Sequence, residues 1–150
     1  LYNLLLAFAF YWTANLLLWY PWSISPVLGI TLMLTVMVAF WAAGVYACLV
    51  RYPGKQWLHA AASTAGLLLM VSALSDYFFF GLIRGAMEEL YHPTTLYGYG
   101  FLVSLPFLVV VLLRKRMEAN RRKVRDVDFI RLAVLGVFSL LALVLIIQVG

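Results

Sequence analysis

Four stretches of this chain run for 19 residues or more without a single Asp, Glu, Lys or Arg: residues 2–20, 26–50, 56–75 and 95–113. A helix needs about 20 mainly apolar residues to cross the roughly 30 Å hydrocarbon core of a bilayer. Backbone polar groups in lipid must be satisfied within the segment itself, so single runs of this kind fold as helices. A fifth run, 129–148, carries only Arg131 near its start. The pattern predicts an all-α, polytopic transmembrane helical bundle. Its five spans are expected at about 2–20, 26–50, 57–80, 95–113 and 129–148, in one transmembrane domain over residues 1–150.

Composition excludes the main alternative, a very apolar soluble bundle. Hydrophobic residues make up 65% of the chain and charged residues 11%, with a mean hydropathy of +0.98. Soluble domains carry about 25% charged residues. A soluble domain of this size cannot hide that much apolar surface, so lipid must cover it. Residues 1–20 lack a basic leader and a small-x-small cleavage site, and are rich in Trp and Tyr. They are read as a membrane helix and not as a signal peptide.

Breakers and aromatic residues mark the ends of the spans. Trp19, Tyr20, Pro21 and Trp22 suit the headgroup level. Pro21 and Pro26 bracket a short turn in which Ser23 and Ser25 are placed to cap the next helix. Arg51 and Pro53-Gly54-Lys55 close the second span. The third is expected to continue as a helix to Glu89, with Gly81 and Gly85 the lone breakers, until His92-Pro93 stops it. Pro106 bends the fourth. Residues 114–128 form a basic loop, partly helical, and Asp128 caps the fifth span.

Eight of the eleven Lys and Arg residues lie between Arg114 and Arg131, and the 51–55 loop holds two more. The 21–25 loop has none and the 81–94 loop only Arg84. Lys and Arg favour the cytoplasmic side, so the charge alternation puts the N-terminus in the cytoplasm and the C-terminus outside, as in a bacterial inner membrane. The basic segment has no interleaved aromatic residue, which speaks against nucleic acid. Arg114, Lys115, Arg116, Arg121, Arg122 and Lys123 are expected to meet anionic lipid headgroups.

Asp76 is the first candidate for function, because an ionisable residue inside a span is expensive. Counted at 1.5 Å per residue it falls about 30 Å from the cytoplasmic end, near the outer boundary. A proton- or cation-binding carboxylate is one reading. An interfacial residue bonded to polar neighbours or water is the plainer and preferred one. Ser72, Ser75 and Asp76 share a face at i, i+3, i+4 spacing, and such a patch turns toward other helices. Thr13 and Asn15 of the first span and Tyr97 and Tyr99 of the fourth are its expected partners.

Beyond Asp76, Arg84 and Glu88 are spaced to pair on a helix, and Glu89 with His92 makes one Glu-x-x-His. Two such motifs with further carboxylates bind metal pairs in helical bundles. One copy makes Glu88, Glu89 and His92 weak metal candidates, and a solvated, ion-paired helix end is favoured. Cys48 is read as a small buried hydrophobe. Ala43 and Ala47, and Ala62 and Gly66, have small-xxx-small spacing suited to close contact between the second and third spans.

Three functions follow, in order of preference. The first is a non-catalytic accessory or assembly subunit of a membrane complex. The second is a small oligomeric transporter or channel using Asp76, Ser72, Ser75 and Arg84. The third is a membrane-embedded lipid-modifying enzyme, with Asp76, Glu89 and His92 as catalytic candidates on the outer face. No cofactor is expected. Partners are the bilayer, its anionic headgroups, and a second copy or a membrane-complex subunit.

Overall fold

The computed structural model describes residues 1–54, 56–121 and 123–149. Among them it is all-helical, without strands. The helices are α1 (Tyr2–Ile24), α2 (Pro26–Leu34), α3 (Val36–Val50), α4 (Trp57–Asp76), α5 (Pro93–Ala119) and α6 (Asp126–Val149). A π-helical segment, Tyr77–Ile83, follows α4, and a 3-10 turn, Met87–Tyr91, precedes α5. With α2–α3 and α4 plus its π-helical extension taken as continuous runs, five helices are long and apolar enough to cross a membrane. This fits an integral membrane protein.

The chain falls into two compact units. The first joins Leu1–Gly44 to Val124–Gly150. Its centre is α1 against α6. Gly136 of α6 lets the helices close, since a Cβ there would lie 2.7 Å from the Phe8 ring and 3.2 Å from the Ala9 Cα. Thr13 Oγ1 and Ser139 Oγ meet at 3.0 Å, so each polar group entering this contact finds a partner. Tyr2 packs edge-on to Phe129, and Phe10 stacks on Phe40 at 4.4 Å between centroids.

The second unit is Val45–Lys123, with α4 against α5. Ala60, Ala61, Ala65 and Leu68 of α4 and Leu102, Leu105 and Val109 of α5 are buried. Pro106, buried in α5, has no N–H to leave orphaned. One end is tied by polar contacts. The Trp57 indole N–H donates to Glu118 Oε1 at 3.0 Å, and Arg114 Nε donates to the same oxygen at 3.0 Å. The Arg121 guanidinium lies 4.9 Å from the Trp57 ring centroid and donates to the Gly54 carbonyl at 3.1 Å.

Several expectations need correction. α1 runs through Pro21 to Ile24, because a proline's missing N–H and fixed φ do not forbid continuation in the last turn. Ser25 opens α2 without a side-chain cap, while Ser23 Oγ donates back to Tyr20 O. The second span is broken at Thr35. There Thr31 Oγ1 donates to Val27 O and Thr35 Oγ1 to Thr31 O, the back-bonding by which Thr bends helices. The third span does not reach Glu89 as a continuous helix. Its π segment stops at Ile83, and two residues on the chain passes through a left-handed Gly85 at φ 62°, a conformation that favours glycine. His92-Pro93 starts α5 instead of stopping α4. Ala62 and Gly66 lie exposed on α4. Lys55, at the end of the second span, lies outside the described residues.

Candidate functional site

Asp76 ends α4 and is only 8% exposed. Ser72, one turn before it, and Ser75, the preceding residue, are buried as well. The α-helical spacing of these three therefore turns the polar patch inward, as an apolar environment demands. The opposing helix supplies a donor: Tyr99 of α5 gives its hydroxyl proton to Asp76 Oδ2 at 2.7 Å. That length is ordinary for an O–H···O hydrogen bond. Of the four expected partners, Tyr99 is the one joined to Asp76 by this bond. Tyr97 lies exposed, Asn15 donates to Tyr11 O, and Thr13 is bonded to Ser139.

The backbone hydrogen-bond step changes just where the carboxylate sits. From Tyr77 the helix widens to i→i+5 bonding, as in Arg84 N–H to Phe79 O at 2.9 Å. π-Helical turns are rare and recur at functional sites. The widened turn buries Phe79 and sets Phe79 and Phe80 edge to face at 5.2 Å. Gly81 gives room for Met87, whose Sδ would lie 2.7 Å from a Cβ there.

No family model, curated protein or solved structure matches this chain.

The polar turn after the π segment is differently built from the expected helix. Glu88 and Glu89 lie on the 3-10 turn, and Arg84 reaches Glu89 Oε1 at 4.0 Å while lying 5.6 Å from the Phe80 ring centroid. The α-helical register that would pair Arg84 with Glu88, and align Glu-x-x-His, is absent. His92 is a helix cap: its Nδ1 meets Thr94 Oγ1 at 2.8 Å and accepts from Thr94 N–H at 3.4 Å. Thr95 Oγ1 donates to Glu89 O at 2.9 Å, fastening the turn to α5. Among the described residues no three His, Cys, Asp or Glu side chains gather as metal ligands would. Glu89 and His92 thus make contacts that hold the loop, Glu88 lies exposed on it, and Asp76 is joined to Tyr99.

The basic segment sorts into engaged and exposed cations. Arg114 pairs with Glu118, and Arg121 is held by Trp57 and Gly54. Lys115, Arg116 and Lys123 are exposed, and Arg122 lies outside the described residues. Glu118 lies past the apolar run that ends at Leu113. The hydrogen bonds from Arg114 and then Trp57 hold its carboxyl below the usual carboxylate range. Sequence reading overlooked this link. Its signal was that Glu118 is the lone acid between Arg114 and Arg125.

Proposed function

We propose that this chain is a small accessory or assembly subunit of a membrane complex, with its N-terminus cytoplasmic and its C-terminus outside in a bacterial inner membrane. One observation carries the reading. His59, Ala62, Ser63 and Gly66 form an exposed stripe along α4, inside a span. Small and polar residues let helix backbones approach and bond to one another, whereas a lipid-facing surface gains nothing from them. The stripe therefore suits a helix of another subunit.

Gly66 makes a clean test, because a Cβ there would meet nothing within 4 Å inside the chain. Gly66→Leu is expected to leave the purified chain at least as stable as before while abolishing its co-purification with a partner, followed by native mass spectrometry from its own membrane. Val111→Ala, on the exposed surface of α5, is the matched control. Co-purification that survives Gly66→Leu, or no partner at fixed stoichiometry, rejects the reading.

A second reading is favoured by the buried Asp76 and its bond to half-buried Tyr99: a small transporter that binds a proton or cation at Asp76. It requires Asp76→Asn to abolish flux into liposomes, and unchanged flux removes it.

A further inference from the structure

The charge at the Trp57–Glu118 end of α4 and α5 is unevenly committed. Arg114 shares Glu118 with Trp57, at 3.0 Å from each donor. The Arg121 guanidinium lies over the Trp57 ring and donates to Gly54 O. Arg125, farther on, pairs with Asp128 at 3.6 Å. Lys115, Arg116 and Lys123 stand exposed, with Glu118 already bound by two other groups.

Position adds to charge. The apolar run of α5 ends at Leu113, but the helix continues rigidly to Ala119. At 1.5 Å of rise per residue, Lys115 and Arg116 emerge about 3 and 4.5 Å past the apolar edge. That is the level of lipid phosphates, just outside the hydrocarbon core. They also occupy the C-terminal part of the helix, where its dipole favours cations. Arg121 is pinned to the loop at Gly54, so the chain bearing Lys123 returns to the same end.

We propose that Lys115, Arg116 and Lys123 form a docking surface for the phosphate headgroups of anionic phospholipids. Arg114 and Arg121 belong to the scaffold that holds this surface and not to the contact itself. The inference rests on the five helices being membrane spans and does not need an accessory role. It differs from simple attraction of net charge, because it ranks cations that a charge count treats alike.

The test uses the full chain in nanodiscs of phosphatidylglycerol mixed equally with phosphatidylcholine, with retained lipid identified by native mass spectrometry. Wild type is expected to keep phosphatidylglycerol in preference to phosphatidylcholine. Each contacting charge is worth about fivefold in binding. Lys115→Gln with Arg116→Gln should therefore lower the preference about 25-fold, and Arg114→Gln less than twofold. Glu118→Gln, which frees Arg114, should raise it. Equal losses from Arg114→Gln and Arg116→Gln, or no preference in wild type, overturn the proposal. Should a variant fail to assemble, the wild-type preference decides, since it must weaken as salt rises if charge carries it. A chain that stays soluble without detergent or disc would instead overturn the membrane reading beneath it.

Discussion

Replacing Tyr99 by Phe removes one hydroxyl and little else. That hydroxyl lies 2.7 Å from Asp76 Oδ2, and the carboxylate is 8% exposed. Hydrogen bonds to charged groups contribute about 1.5–3 kcal/mol to stability in soluble proteins. Between membrane helices they average about 0.6 and reach about 1.7 kcal/mol. Burial of a carboxylate moves the expectation to the top of the membrane range. The further contacts of Asp76 keep it from going higher. We expect Tyr99→Phe to cost about 1.5 kcal/mol, near a tenfold change in the folding equilibrium. Tyr97→Phe is the control, since Tyr97 is 77% exposed and surface changes fall within about 0.5 kcal/mol. The assay is steric trapping of unfolding in micelles, with labels on α4 and α5. A double-mutant cycle with Asp76→Ala isolates the pair. A coupling below about 0.3 kcal/mol would refute the view that this bond holds the end of α4 to α5.

The other predictions use the same scale. Gly136→Ala should destabilise by about 1–3 kcal/mol, because its methyl group meets Phe8 and the Ala9 backbone. Gly66→Ala should stabilise by up to about 1 kcal/mol, because it gains helix propensity in open space. Equal signs in an unfolding titration would contradict the packing of α1 on α6. Gly85→Ala forces a methyl into a left-handed backbone and should cost about 1–2 kcal/mol, with faster amide exchange confined to residues 84–91. Glu118 has a lowered folded-state value, so its link to Trp57 and Arg114 is complete at neutral pH. It weakens as pH falls through that value. The protection factors of the amides at residues 57–60, each referred to the intrinsic exchange rate at that pH, should fall on acidification in wild type and not in Glu118→Gln; parallel pH courses would show that another group is responsible.

The helical content and the five apolar runs were legible because lipid imposes one rule on each run separately: enough apolar length, with backbone groups paired locally. The departures arise where one side chain competes with that rule. Thr31 and Thr35 bond back to carbonyls one turn earlier and split α2 from α3 within an uninterrupted apolar run. Hydropathy weighs Thr as mildly polar and does not see where its hydroxyl points. Pro21 shows the reverse. A breaker by reputation, it sits where few helical bonds remain to lose. The small-residue spacing of Ala62 and Gly66 marks a face suited to close contact, but spacing says which residues share a face and not what that face meets.

At the site, period 3.6 was sufficient to put Ser72, Ser75 and Asp76 on one inward face, and the need of a buried carboxylate for a donor narrowed its partners to a few hydroxyls and amides. Selecting Tyr99 from among them required the packing of α5. The same period then misled beyond Asp76, because the i→i+4 register it assumes ends there. A π turn rotates each later residue away from its α-helical position, so Arg84 meets Glu89, and His92 turns to cap a helix. The two facts are connected. The wider turn begins at the residue after the carboxylate that Tyr99 holds, and it buries Phe79 directly beyond it. Gly81 and Gly85 then allow the close approach of Met87 and the left-handed exit. The glycines read from sequence as lone interruptions in a helix are thus the means by which the polar end of α4 is closed off by aromatic residues and the chain is returned to α5 within hydrogen-bonding reach of Asp76.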